Sequence, residues 1–457
     1  MESKIHHFLI ISCAGQGHLN PSLQLAKRLI DLGGSHVTFV TDSHGLTQIK
    51  SLPSLKGLSF ASFSDGFDGG VKPMDDQNHI MFELKRAGSQ SLAALIEKIS
   101  KSDDHGPITF LIYTILLPWA AEVASDFGIA SAFLCIQSTT SFAVCYHYFK
   151  DYYKNQSTLP FPSCITIDGM PPFAPEELPS YLLPTSPHVA ILPTFQEHYQ
   201  ILEQDPNSCV LLNTFDGLEE AAIRDMRGHM NLITVGPLFR FNDAEVRCDL
   251  FDRSGDDYLQ WLDSKADSSV VYVSFGSMVV LKSGQIEEIL HGLVDSGLPV
   301  LWVIRKSGNE GDEETLQNLI NSTLKKEQGL IVPWCSQVEV LSHKSIGCFV
   351  THCGWNSTIE SLAAGVPIIG CPHFSDQNTN AKLVEELWGT GVQARVNAEG
   401  VFEHDEIKRC LEIVIGDGER GEEIRRNAQK WKGLAMEAVK EGGASNDHLR
   451  NFVRRLG

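Results

Sequence analysis

The feature that most constrains the fold of this chain is a rhythm that occurs twice. Short apolar runs alternate with amphipathic stretches, first as Phe8–Ser12, Leu19–Leu32 and Val37–Thr41, then as Phe110–Tyr113, Trp119–Phe127 and Ala132–Cys135. Continuous apolar strands separated by helix-period segments are what a parallel sheet covered by helices on both faces requires. The rhythm restarts at Val270–Ser274, Ser283–Ser296, Val300–Ile304, Gly329–Val332 and Cys348–Thr351. At 457 residues the chain is too long for one ordinary core. An α/β protein of two doubly wound domains is therefore predicted, the first over residues 1–240 and the second over 258–440, with a tail at 441–457. The charged, weakly periodic segment Phe239–Asp257 supplies the linker, placed at 241–257. Proline-rich Leu159–Pro193 excludes a regular helix or central strand. It reads equally as a long surface excursion or as a mobile loop over a cleft. Asn309–Thr315 reads as an exposed acidic loop.

Composition narrows the function classes. The formal net charge is −20 and no basic patch stands out, which argues against a nucleic-acid partner. The eleven cysteines are odd in number, scattered, and often set in apolar runs, as at Cys348, Cys353 and Cys371. They read as buried free thiols in a reducing compartment, not a disulfide framework. Cys348 and Cys353 lack the paired spacing of a zinc site. No apolar run reaches the roughly 18 residues of a membrane span, and the N-terminus lacks a signal-peptide pattern. A cytoplasmic monomer is expected.

Two places carry chemistry in the second half. The strand VVYVSF ends at Gly276–Ser277, where glycine lets backbone approach a ligand and Ser277 can donate to a phosphate oxygen. In THCGWNSTIESLAA a strand ends, Gly354 breaks it, and a helix begins. Unpaired N–H groups and a partial positive charge favour an anion there, and His352, Asn356 and Ser357 add donors. A plain helix cap explains Asn356 and Ser357 as well. Glu360 lies one turn on, on the same face. Its carboxylate suits a vicinal diol, and equally an exposed first-turn glutamate. Trp334 offers a flat face for a base and Gln337 a hydrogen-bonding edge, although a lone tryptophan is more often core. In the first half, GQGHLN opens like a dinucleotide fingerprint but lacks the third glycine. With Asp42 after the second strand, a nicotinamide oxidoreductase stays open as an alternative.

The 44 residues from Trp334 to Gln377 resemble, without a gap, the signature box of the plant secondary-product UDP-glycosyltransferases, glycosyltransferase family 1. The resemblance extends over nearly the whole chain. It implies the GT-B architecture, two Rossmann-like domains facing across a cleft, with acceptor bound by the first, UDP-sugar by the second, and the tail packing back on the first. It assigns Trp334 and Gln337 to uracil, Glu360 to ribose, and His352, Asn356 and Ser357 to diphosphate. Trp355, Asp376 and Gln377 fall to the sugar, with Cys335, Gly354, Gly276 and Ser277 in the same site. Gln377 at the end of the box implies glucose. No D-x-D triplet occurs, so a metal-independent site without cofactor is expected, UDP-glucose being the donor substrate and the helix N-terminus stabilising the leaving diphosphate.

The motif G-x-G-H-x-N-P implies that His18 is the general base of an inverting transfer that gives a β-glucoside or a glucose ester. One departure stands out: relatives carry Y-D-x-x-x-x-W where this chain reads YTILLPW, with Thr114 in place of the aspartate. A hydroxyl can hold an imidazole tautomer but cannot stabilise imidazolium as a carboxylate does. Two options are open: another carboxylate or a water serves, or the acceptor is acidic enough to need little help. Thr114 with Ile136–Gln137 resembles a subgroup that makes glucose esters and glucosides of flavonoids and related pigments. A small phenolic or carboxylic plant metabolite is the expected acceptor. Gln16, Phe82, Gln137, Phe142, Tyr146 and His147 are candidates for its walls, and equally for core. A non-catalytic UDP-sugar binder is the remaining alternative.

Overall fold

The computed structural model describes residues 6–33, 35–49, 55–72, 75–102, 106–153, 161–205, 208–239, 257–305, 323–324 and 328–456. The chain divides into two compact units; the first runs to Phe239 and regains the chain from Glu437, and the second ends at Met436. The linker expected at 241–257 and the acidic loop Asn309–Thr315 lie outside the described residues, apart from Asp257.

The first unit is built on a parallel sheet. Its strands are β1 (His7–Ile11), β2 (His36–Asp42), β3 (Leu58–Phe63), β4 (Phe110–Thr114), β5 (Ala130–Cys135), β6 (Cys209–Leu212) and β7 (Leu232–Thr234), in the order β3-β2-β1-β4-β5-β6-β7. The helices are α1 (Gln16–Asp31), α2 (Ser43–Gln48), α3 (Gln77–Ser100), α4 (Trp119–Asp126), α5 (Thr139–His147), α6 (Leu192–Gln204) and α7 (Glu220–Arg227). Every residue of β1, β2 and β4 is buried, including the polar His36, Thr38, Thr41 and Asp42 of β2, as strands covered on both faces require. Along α1, Leu19, Leu23, Ala26 and Leu29 form the buried stripe. Strand order reverses between β1 and β4, and such a switch point opens a crevice at the carboxyl ends of the strands. The predicted elements agree with these to within a few residues.

The second unit repeats the plan. Strands β8 (Val270–Ser274), β9 (Val300–Val303), β10 (Gly329–Val332), β11 (Ile346–Thr351), β12 (Ile368–Gly370) and β13 (Gly391–Gln393) form a parallel sheet in the order β10-β9-β8-β11-β12-β13. Described helices are α8 (Asp257–Asp263), α9 (Ser283–Asp295), α10 (Gln337–Ser342), α11 (Trp355–Ala364), α12 (Gln377–Lys382), α13 (His404–Ile415), α14 (Glu419–Val439) and α15 (Ala444–Arg455). The switch point here lies between β8 and β11. The terminal helix α15 packs in the first unit, with Phe452 edge-on to Phe110 at 5.3 Å and His448 Nδ1 2.9 Å from Thr234 Oγ1.

Among its described residues, Leu159–Pro193 forms no regular helix or central strand before α6 begins at Leu192, as its prolines predict. From residue 161 it carries a bridge between Ile165 and Phe173 and three short 3₁₀ turns. Phe173, Leu178, Tyr181 and Leu182 are buried, and Tyr181 stacks on Phe195 with ring centroids 4.8 Å apart. Apolar side chains spaced among the prolines anchor the segment, a pattern that falls in no regular period. The described cysteines are all free thiols, and no helix among the described residues is long and apolar enough to cross a membrane.

Candidate functional site

In the second unit the named residues leave the carboxyl ends of neighbouring strands: Gly276–Ser277 after β8, His352–Glu360 after β11, Trp334–Gln337 after β10, and Asp376–Gln377 after β12. Thr351 and Ser274 are register partners, which brings the two loops at the switch point side by side. The His352 imidazole fills the space between two glycines. A Cβ on Gly276 would meet its Cε1 and Nε2 at 2.7 Å, and one on Gly354 would meet its Nε2 at 2.6 Å. Gly276 also has φ +72°, which a side chain resists. His352 Nδ1 lies 3.3 Å from Thr351 Oγ1. Burial, with His373 as the lesser cause, pushes its pKa down to about 3. His352 is therefore a neutral donor, and the positive potential of the site comes from the N-terminus of α11.

Gln337, the first residue of α10, joins three predicted residues into one cluster. Its Nε2 donates to Ser357 Oγ at 3.0 Å and to Glu360 Oε2 at 2.7 Å, while its Oε1 accepts from the Tyr272 hydroxyl at 3.4 Å. Desolvation raises the Glu360 carboxyl to about 7, against the opposing pull of the Gln337 hydrogen bond. Trp334 is half-buried beside this cluster, and Asn356 stands in the first turn of α11.

Asp376 and Gln377 are both buried. Gln377 Oε1 accepts from the backbone N–H groups of His373 at 2.8 Å and Phe374 at 3.0 Å. That fixes the amide, leaving Nε2 as its outward donor. Asp376 Oδ2 accepts from Asn380 Nδ2 at 3.0 Å, and burial raises its carboxyl to about 6. Two further assigned residues have buried side chains. The Trp355 indole is buried near Trp388, with centroids 6.1 Å apart, and the Cys335 thiol is buried 3.4 Å from the Tyr272 hydroxyl.

In the first unit, His18 stands in the first turn of α1 and Thr114 ends β4, at the carboxyl ends of two paired strands. The hydrogen bond by which a hydroxyl at Thr114 could hold His18 is not formed: among the described residues, His18 Nδ1 and the Oγ1 of fully buried Thr114 each lack a partner. Desolvation alone lowers the His18 pKa to about 4, with no carboxylate among its causes. Asp42, the acidic residue of the oxidoreductase alternative, is engaged as the cap of α2, its Oδ1 accepting from Gly45 N at 2.7 Å.

The acceptor-wall candidates disperse. Phe142 is buried 5.0 Å from the Tyr199 ring, and the Tyr146 hydroxyl donates to Glu203 at 2.8 Å. His147 Nε2 lies 2.8 Å from Asp225 Oδ2. These three belong to the packing between α5, α6 and α7, which is the core reading of them. Gln137 Nε2 donates to the Tyr181 hydroxyl at 3.4 Å, Gln16 begins α1, and Phe82 on α3 is 62% exposed. Residues that sequence reasoning missed include Asn380 and three left-handed non-glycine residues beside the site: Leu116, Cys353 and Ser375. The i,i+4 spacing of Asp376 and Asn380 was a usable signal; left-handed backbone at these residue types leaves none.

The chain matches the family described as "UDP-glucoronosyl and UDP-glucosyl transferase" over residues 216–433, a span that contains the whole box. It is 45% identical to phloretin 4'-O-glucosyltransferase of Malus domestica, covering 99% of this chain and 98% of that protein. The chain belongs to the plant UDP-glycosyltransferases. As a member of that family it is a transferase. It is also 46% identical to the chloroplastic crocetin glucosyltransferase of Gardenia jasminoides, over 99% of this chain and 97% of that one. Among solved structures, Os79 from O. sativa in complex with UDP aligns with a TM-score of 0.86 and 32% identity, covering 98% of this chain and 100% of that chain.

Proposed function

We propose that this glycosyltransferase moves glucose from UDP-glucose to the carboxylate or an acidic phenol of a small plant metabolite, with inversion and without a metal ion. The observation that carries the donor assignment is the Gln337 amide bound at once to Ser357 and Glu360. It ties the residues assigned to uracil, diphosphate and ribose into one hydrogen-bonded group at the N-terminus of α11. In the reaction, the acceptor oxygen bonds to the anomeric carbon as the bond from that carbon to the diphosphate breaks. The electron pair leaves with UDP, towards the donors of α11. His18 takes the acceptor proton where there is one to take. Its unpartnered Nδ1 and low pKa make it a weak base, which favours an acceptor that is ionised or nearly so at neutral pH. Names of relatives that act on phloretin and crocetin agree with small aromatic and carboxylic acceptors. Free thiols throughout the described residues support the cytosol as the place of action.

The deciding experiment is a mass-spectrometric screen with UDP-glucose and EDTA against phenols and carboxylic acids, followed by mild alkali. Alkali-labile products establish ester formation. Stable products assign the acceptor to a hydroxyl, and UDP-glucose binding without any product would leave two readings, an acceptor missing from the panel or the silent binder.

Two predictions test the donor site. Alanine at Gly354 must displace the His352 ring, and is expected to weaken UDP-glucose binding about tenfold or more, measured by calorimetry on folded protein. The second concerns pH. Glu360 can accept from both hydroxyls of a diol through its two oxygens only when ionised, since protonation turns one oxygen into a donor, and its carboxyl is raised to about 7. UDP-glucose affinity should therefore be at its plateau above that value and fall as pH drops through it, approaching about tenfold per unit. Asp376, raised to about 6, steepens the loss further down. UDP-glucose has no secondary phosphate ionisation to confuse the titration. Affinity that stays level from about pH 8 to about pH 5 would remove Glu360 from the ribose.

A further inference from the structure

We propose that Asn380 is a positioning residue for sugar transfer, tying the carboxylate of Asp376 to the backbone turn that opens α11. This rests on the assignment of Asp376 to the sugar. Asn380 lies on α12 and is 0% exposed. Its Nδ2 donates to Asp376 Oδ2 at 3.0 Å and to the Cys353 carbonyl at 3.0 Å.

A planar amide has two N–H bonds at a fixed angle, and here both are used. Cys353 follows β11 and Asp376 follows β12, which are neighbouring strands, so one side chain spans the carboxyl ends of both. The turn it holds is unusual: Cys353 has φ +60° and directly precedes Gly354, the cap of α11. A non-glycine residue in that region persists only where its surroundings hold it. The Asn380 hydrogen bond to its carbonyl is one such restraint, and the Cys353 side chain, fully buried, is another. The sugar end and the diphosphate end of the donor site thus share a rigid link. With Oδ2 held by Asn380 and Gln377 Oε1 held by two backbone N–H groups, Asp376 and Gln377 offer an acceptor and a donor in fixed orientation. Stereochemical discrimination among hexoses needs that fixity, because epimers differ only in the direction of one hydroxyl.

The test compares UDP with UDP-glucose in Asn380→Leu, Asp376→Asn and the double variant, by calorimetry and steady-state kinetics. Asn380→Leu is expected to lose about tenfold of the preference for UDP-glucose over UDP, and about 100-fold in kcat, with UDP affinity changed far less. In the Asp376→Asn background the same substitution should add little to the lost preference, since it acts through that carboxylate. Parallel loss of UDP and UDP-glucose affinity, or fully additive losses in the double variant, overturns the proposal and leaves Asn380 a packing residue. Where Asn380→Leu fails to fold, Asn380→Asp keeps the volume but cannot donate to both oxygens; unchanged preference and kcat in that variant also overturn it. Unchanged sugar preference in Asp376→Asn alone is a different failure, that of the sugar assignment itself.

Discussion

His18→Ala is expected to lower kcat by about 10²- to 10⁴-fold while leaving the KM for UDP-glucose within about twofold. The split follows from placement: His18 starts α1 in the first unit, and the residues assigned to the donor all lie in the second. The size of the loss depends on the acceptor. That range applies to a phenol, which must surrender its proton to a base whose pKa burial has lowered to about 4; a carboxylic acid arrives ionised and should lose about tenfold or less. Substitutions at Thr114 separate these contributions. Its hydroxyl has no partner, so Thr114→Val should cost little with a carboxylic acceptor. Thr114→Asp restores a carboxylate where relatives carry one, and should raise the rate with phenols about tenfold while barely changing it with carboxylic acids. Steady-state kinetics with one acceptor of each kind measures all of this. A loss in Thr114→Val as deep as in His18→Ala would mean that the hydroxyl does orient the imidazole during turnover.

Glu219→Ala is expected to destabilise the protein by about 3–5 kcal/mol, read as a lower urea midpoint. Glu219 is 2% exposed. Its Oε2 accepts from Thr139 N at 3.0 Å, and its Oε1 accepts from Thr140 N and Thr140 Oγ1, both at 2.9 Å. These are the first N–H groups of α5, which have no partner inside the helix. Truncation strands three buried donors at a site that water does not reach, so the penalty is that of unmet hydrogen bonds and not of one lost ion pair. Glu219→Gln should cost less, since one oxygen still accepts, but more than zero, because its NH₂ would face a donor. Equal midpoints for wild type and Glu219→Ala would show that the α5 terminus finds other acceptors.

Much of the donor site was legible because local patterning carried it. A strand, a glycine and a helix start occur in consecutive residues, and the anion-binding potential of a helix N-terminus is a local property. The βα rhythm was equally readable, since burial on both sheet faces writes itself as continuous apolar runs. The acceptor walls were not. Phe142, Tyr146 and His147 look alike in sequence whether they line a pocket or pack between helices, and only their contacts with Tyr199, Glu203 and Asp225 distinguish the two. Trp355 is like them: an aromatic residue at a helix start gives no sign of which way the indole turns.

What the sequence determined by itself was the family and the two parallel sheets, and it named the residues proposed for the donor site, because period, motif and spacing are properties of neighbouring residues. Only the tertiary structure decided how those residues engage one another. Gln337 reaches Glu360 across 23 positions, and Asn380 reaches the Cys353 carbonyl across 27. His18 follows β1 and Thr114 ends its paired strand β4, yet the two share no hydrogen bond. Hydrogen bonds and desolvation depend on which loops a sheet brings side by side, and strand order is set by the whole chain.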